Sequence, residues 1–430
     1  MHDPTAGTGR LIARYRIESA ADPDVTAREI AGEQSTGTFV RVPGQSEAGD
    51  QRYGATVDDV QIIRRDAAPS LYSRTLHAGT VTVADIQISW PAPNTSTLSA
   101  CMAAAAGNLS ELASLTAVRL LDVRFPDTIL ATLPRPRHGI PGTRALASVA
   151  DRPLFGTIVK PSVGLSSEDT ARLVYDVASA GLDFIKDDEL MLDPDYNPLE
   201  ARTQTVERAL DQAERTTGRR AIFAYNITAD STSQLLANAE LVRRRGGRCV
   251  MVNLNGVGFA AVRELRAATD LAIHGHRAGW GMFTRSPAIG FSFSAYQSFW
   301  RLCGIDHLHT SGLASKFWES DDSVLDSIRA VQTRLRTDVD DRALPVLSSG
   351  QTASHVYKTA AALGNADFLL LAGGGILAHP DGPRAGVQSM HEAWSAYRSG
   401  ADLVDFARTH PALGDALRAF GNHHRERSTT

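Results

Sequence analysis

The chain has 430 residues, 43% of them hydrophobic and 21% charged, with a formal net charge of −4. This length exceeds one average domain, and an α/β barrel of about 250 residues leaves a large remainder to explain. The composition is that of a soluble globular protein, and the acidic balance argues against a nucleic-acid surface.

Arg243-Arg-Arg245 reads as a solvated helix end rather than a basic patch. Three widely spaced cysteines give neither a disulfide framework nor a metal spacing, and Cys249 and Cys303 sit in apolar contexts as core residues. Met1 to Arg10 lacks the apolar core of a secretion signal. No stretch approaches the roughly 18 apolar residues of a membrane span, so a cytoplasmic protein with no membrane partner is expected.

Residues 1–150 mix strands and helices without strict alternation. Leu11 to Ile17 and Val81 to Trp90 alternate as strands do, with a helix at Ala27 to Glu33 and a polar loop at Ser46 to Tyr53 between them. Leu98 to Leu115 is Ala-rich and predicts a helix, and Ala117 to Val123 another strand. Together they suggest an α+β domain of ferredoxin-like kind. Pro134-Arg-Pro136 and Gly139-Ile-Pro-Gly142 read as a linker.

Residues 151–430 follow a regular alternation. Strands are predicted at Phe155–Val159, Leu182–Ile185, Ala221–Tyr225, Cys249–Leu254, Leu271–His274, Asp306–His309, Pro345–Leu347 and Asp367–Leu371. Helical patterns separate them, for example Ser166–Ala180, Ser231–Arg245, Ser294–Cys303, Asp322–Thr337 and Ala353–Leu363. Eight such units are the count of a (β/α)8 TIM barrel, with a doubly wound open sheet as the alternative. Ala401 to Phe420 predicts a terminal helix, and His423 to Thr430 a frayed end.

Polar residues collect at the carboxyl ends of these strands, where α/β barrels place their active sites. The second strand runs into Lys186-Asp-Asp-Glu189, one lysine and three carboxylates. Carboxylate oxygens in a cluster suit a hard cation, Mg²⁺ before Zn²⁺. Lys186 and Asp188 share a face, and Glu189 joins them only if the chain turns there. A solvated strand end with ion pairs is the alternative. His276-Arg277 and His309 close the fifth and sixth strands. Ser348-Ser-Gly350 and Gly373-Gly-Gly375 follow the seventh and eighth, where glycines let backbone N–H groups approach an anion.

Gly181-Leu-Asp-Phe-Ile-Lys-Asp-Asp-Glu189 resembles the metal motif of the ribulose-bisphosphate carboxylase (RuBisCO) large-subunit superfamily. Gly156-Thr-Ile-Val-Lys-Pro161, His276-Arg277, His307-Leu-His309, Lys316, Ser348 and Gly373-Gly-Gly375 match in the same order, over about Glu33 to Pro380. The resemblance, to a RuBisCO-like protein of form IV type, implies that CO2 converts Lys186 to a carbamate that binds Mg²⁺ with Asp188 and Glu189. It assigns Lys160 and His276 to proton transfer, and Lys316 to a mobile loop that reaches a carboxylate. Arg277 and His309 become phosphate ligands with Ser348, Gly350, Gly373 and Gly374, while His307 is structural. Glu33, Thr38 and Asn108, in Glu33-Gln-Ser-Thr-Gly-Thr38-Phe39 and Gly107-Asn108, would complete the pocket of a neighbouring subunit, which implies a homodimer or an oligomer of dimers.

Two departures narrow the activity. Carboxylating members carry a second lysine where this chain has Ser162, which argues against a true ribulose-bisphosphate carboxylase. Ser349-Gly350 stands where members often have two glycines. The reading is a Mg²⁺-dependent enzyme acting through an enediolate on a phosphorylated keto sugar acid. A decarboxylase or transcarboxylase/hydrolase of 3-oxo-isoapionate 4-phosphate type is the expectation. A methionine-salvage enolase or isomerase of 5-methylthioribulose or diketone phosphates, and a non-catalytic regulatory scaffold, are the alternatives.

Overall fold

The computed structural model describes residues 9–38, 40–66, 68–75 and 79–421. Phe39 of the amino-terminal motif, most of the Met1–Arg10 stretch and the frayed end from His423 to Thr430 lie outside the described residues. The chain divides into two compact units: Met1–Leu133 with Gly279–Leu302 and Arg334–Asp340, and Pro134–Ala278 with Cys303–Thr333 and Asp341–Thr430.

In the first unit, strands Arg10–Ser19, Thr56–Asp66, Val81–Pro91 and Ala117–Arg124 form an antiparallel sheet. Helix Pro23–Glu33 links the first pair and Leu98–Ala106 the last, which is the β-α-β-β-α-β order of the ferredoxin-like motif. Ile289–Phe291 adds a fifth, parallel strand beside Ala117–Arg124. Alternation builds the buried face: Leu11, Ala13, Tyr15 and Ile17 are all buried.

Two expectations for this unit are corrected, and one strand is added. Ser46 to Tyr53 is not a loop; Glu47–Tyr53 is helical, capped by the Ser46 hydroxyl accepting from Gly49 N–H. It buries no residue, so no apolar stripe marked it. The Ala-rich helix stops at Ala106, because Gly107 leaves the helical region (φ −49°, ψ −111°), and a 3-10 turn follows at Leu109–Glu111. Strand Thr56–Asp66 was not anticipated; it is an edge strand with mostly exposed side chains and lacks the apolar alternation of a half-buried strand.

The second unit is a closed barrel of eight parallel strands: Leu154–Ile158, Phe184–Lys186, Ile222–Asn226, Cys249–Asn253, Ala272–His276, His307–His309, Leu344–Leu347 and Leu369–Leu371. The eighth pairs with the first, Leu369 opposite Leu154, which excludes the open sheet. All eight coincide with the predicted runs to within a few residues. Helix Ser167–Ser179 starts as expected, its capping box formed by Ser166 and Asp169.

Gly139 to Gly142 is not a linker but the start of helix Gly139–Ala147, whose Ile140 and Ala147 join the barrel core. Asp306, just ahead of the sixth strand, anchors it by accepting from the His138 and Gly139 amides at 2.5 and 3.0 Å. The same carboxylate pairs with Arg266 at 3.0 Å. The terminal helix is also two helices, Leu403–Ala407 and Pro411–Phe420, because Pro411 has no N–H to continue the first. Among the described residues no helix is long and apolar enough to cross a membrane.

Candidate active site

The second barrel strand ends at Lys186, and the chain then turns. Met191 N–H bonds to Asp188 O at 3.1 Å, and Leu190 N–H to Asp188 Oδ1 at 3.1 Å. This turn carries Glu189 toward the same rim. Lys186 is 1% exposed, its Nζ donating to Asp187 O at 2.7 Å. Burial pulls its ammonium down to about 8, against the charges of Glu189, Asp188 and Asp187. Among the described residues no three His, Cys, Asp or Glu side chains are gathered to hold a metal. Asp188 and Glu189 offer two carboxylates beside the Lys186 amine. This donor set fits a hard cation if Lys186 is converted to an anion.

Asp187 turns away from that rim. It forms a fully buried ion pair with Arg202 at 3.1 Å, and its Oδ2 accepts from Asn226 N–H at 2.9 Å. Burial pushes its carboxyl above the ordinary range while Arg202 opposes the shift. Two residues that sequence reading missed hold the turn: Asn226 Nδ2 donates to Asp188 O and Glu189 O, and Asn253 Nδ2 donates to Glu189 O at 2.9 Å. Both close otherwise apolar strands, Ile222–Asn226 and Cys249–Asn253, and that polar ending was the available signal.

Lys160, beyond the first strand, places Nζ 2.5 Å from Asp188 Oδ2 and 2.7 Å from Ser162 Oγ. Burial raises Asp188, but the Lys160 hydrogen bond and the Leu190 amide hold it below the ordinary range. His276 ends the fifth strand with Nε2 3.5 Å from Glu189 Oε2. Burial, then the charges of Lys186, Arg277 and Lys160, keep its imidazole neutral well below the usual range. Its Nδ1 is buried without a hydrogen-bond partner among the described residues, which suits a group that waits for a ligand or water.

Arg277 Nη2 donates to Ser349 Oγ at 3.1 Å, joining the fifth and seventh strand ends. His309 is 1% exposed, between His274 (Nε2 to Nε2, 2.8 Å) and Ser348 Oγ, 3.4 Å from its Nδ1. One imidazole donates to the other, so burial leaves both neutral. His274 was not singled out from the sequence; its contacts orient the expected phosphate ligand. His307 lies behind, bonded to Thr143 Oγ1 at 2.8 Å. Lys316 is exposed on the loop after the sixth strand, its N–H donating to Ser349 O at 3.3 Å. The Arg277 guanidinium and the Lys316 ammonium both lie over the Phe317 ring, at 5.0 and 5.5 Å.

Gly373 and Gly374 open the turn after the eighth strand. Their neighbour Gly375 must be glycine, since a Cβ there would sit 2.5 Å from Gln351 O, so this loop seats directly on the one after strand seven. Glu33, Thr38 and Asn108 are all exposed and belong to the first unit, outside the barrel.

Residues 139–420 match the family model of the ribulose bisphosphate carboxylase large chain, catalytic domain, and residues 3–129 that of its N-terminal domain. The chain belongs to the RuBisCO large-chain family. Within it, the chain is 43% identical to a 3-oxo-isoapionate-4-phosphate transcarboxylase/hydrolase of Xanthobacter autotrophicus, over 95% of this chain and 98% of that one. It is 37% identical to a 3-oxo-isoapionate-4-phosphate decarboxylase of Rhizobium rhizogenes, with the same coverage. A RuBisCO-like protein of Burkholderia fungorum superposes with a TM-score of 0.89 at 43% identity, covering 96% of this chain and all of that one.

Proposed function

We propose that this RuBisCO-like chain is a Mg²⁺-dependent enzyme that removes or transfers the carboxylate of a phosphorylated 3-oxo sugar acid of the 3-oxo-isoapionate 4-phosphate type, through an enediolate. The observation that carries this reading is at the first strand end. The proton-transfer lysine, Lys160, has Ser162 at 2.7 Å where a second lysine would serve carboxylation, while Lys316 is kept. The relatives that share this length of chain carry names of the same chemistry.

Lys186 as its carbamate, Asp188 and Glu189 would hold the cation, which when bound offsets charge at two adjacent substrate oxygens. A carbamate forms only from a neutral amine, and a Lys186 pKa of about 8 supplies one near neutral pH. Arg277, His309, Ser348 and the amides of Gly350, Gly373 and Gly374 would take the phosphate. Lys316 would orient the departing carboxylate. When the carbon–carbon bond breaks, its electron pair stays on the sugar carbon and CO2 leaves. Lys160 or His276 then returns a proton to that carbon.

We place Glu33, Thr38 and Asn108 of the amino-terminal domain in the partner's barrel site, making the protein a homodimer or an oligomer of dimers. Three buried cysteines outside any disulfide suit a reducing cytoplasm. The test is a panel of phosphorylated keto compounds with and without a β-carboxylate, assayed on wild type and Lys316→Ala. CO2 release or carboxylate transfer that Lys316→Ala impairs is expected, with negligible ribulose-bisphosphate carboxylation. If only carboxylate-free substrates turn over, and Lys316→Ala is as fast as wild type, the chain is an isomerase.

A further inference from the structure

Ser349 is a non-glycine residue held in the left-handed region, at φ 81°, and it is followed by Gly350 at φ 78°. A side chain in that conformation is disfavoured and persists where its surroundings over-determine it, often at ligand clamps. The surroundings here are specific. Ser349 Oγ accepts from Arg277 Nη2 at 3.1 Å, and Ser349 O accepts from Lys316 N–H at 3.3 Å. Among the described residues the hydroxyl has one other hydrogen-bonding neighbour, Ser348 Oγ at 3.4 Å, which is at the long limit of a hydrogen bond. Ser348 in turn touches His309 Nδ1. One residue thus joins the guanidinium, the buried histidine pair and the loop that carries the exposed ammonium.

A glycine would take φ 81° without strain. A serine there costs stability and returns a hydroxyl that already accepts from Arg277 and keeps its own proton to donate. We propose that Ser349 is a specificity-determining residue of the site: its O–H donates to a substrate oxyanion that Arg277 holds, adding a directed donor to a fork of N–H groups. This deepens the reading above and rests on it for the identity of the substrate, though not for the presence of an anion. The oxyanion is a phosphate or a carboxylate, and the test separates them.

Wild type, Ser349→Gly and Ser349→Ala are titrated by calorimetry with inorganic phosphate and, separately, with malonate, and thermal midpoints are recorded. Where a 3-oxo acid phosphate turns over, kcat and KM are measured as well. Both variants should bind one of the two anions about tenfold more weakly and raise KM with kcat little changed. Ser349→Gly should be at least as heat-stable as wild type, since the strained φ is relieved. Weaker binding of phosphate assigns the rim to phosphate, and weaker binding of malonate to carboxylate. Either supports the proposal even if no 3-oxo acid is a substrate, the outcome that would sink only the reaction. If both variants match wild type for both anions and in KM, the hydroxyl has no such role, whatever the substrate proves to be.

Discussion

Lys160 Nζ lies 2.5 Å from Asp188 Oδ2, so the residue assigned to proton transfer is held by one of the residues assigned to the cation. The pairing keeps the ammonium of a side chain that is 43% exposed aimed into the rim. Lys160→Met should keep the fold and the anion site while lowering kcat by about 10²–10⁴-fold, the usual contribution of a positioned acid or base. Calorimetric phosphate binding equal to wild type, beside that loss, is the expected pair of results. A kcat within a factor of about two of wild type would remove Lys160 from the chemistry.

Lys186 should govern activation. Its amine is protonated below about pH 8 and neutral above, and only the neutral form adds CO2. The initial rate of activation, at fixed dissolved CO2 with Mg²⁺ present, should climb about tenfold per pH unit below 8 and level off above it. Lys186→Ala should show neither activation nor turnover. A flat pH profile, or an active Lys186→Ala protein, refutes the carbamate.

The Asp187–Arg202 pair, with both side chains fully buried, should carry stability rather than catalysis. Arg202 also donates to Asn197 O and Leu192 O, so its loss strands several groups at once. Arg202→Met should cost about 3–5 kcal/mol in denaturant unfolding. Adding Asp187→Asn should recover part of that, since no buried charge is then left unpaired. A double-variant loss equal to the sum of the two single-variant losses would show that the two act independently.

Acid sensitivity follows from the buried histidines. Burial drops His307 and His391 to about 4, below the ordinary value near 6.5. The unfolded chain takes up these protons first as pH falls. Stability is therefore whole above about pH 6.5 and declines as pH drops toward 4, each residue contributing on the order of 1–3 kcal/mol. His307→Asn should lower stability at pH 7 yet flatten the decline between pH 7 and pH 5. A decline as steep as in wild type would place the acid sensitivity elsewhere.

Sharing of the site between subunits can be read by complementation. Glu33→Gln and Lys186→Ala proteins should each be inactive, and subunit exchange between them should restore part of the activity, because one mixed site would be free of both changes. Proven heterodimers with no recovery would return Glu33 to a role within its own domain.

Much of the barrel was open to reading because strand burial is a local pattern. Runs such as Cys249-Val-Met-Val and Leu369-Leu-Leu371 are apolar on both faces, and that alone marks strands covered by helices. The polar residue that ends such a run marks the rim, which is how Lys186, His276 and His309 could be found. Segments whose elements carry no buried stripe, Glu47–Tyr53 and Thr56–Asp66, gave no such signal. Helix Gly139–Ala147 was hidden by its glycines and proline, and it forms because the Asp306 carboxylate, far along the chain, takes up its first amides.

The sequence by itself determined the barrel's strand count, the polar residues that end its strands and the chemistry those residue types allow, since periodicity and composition are properties of neighbours. Barrel closure decided which distant residues meet. Only when strand three pairs with strand two, and strand four with strand three, do Asn226 and Asn253 reach the Asp188–Glu189 backbone. Only when strands five and seven converge does Arg277 reach Ser349, at a backbone angle that its neighbours impose and a serine would not choose.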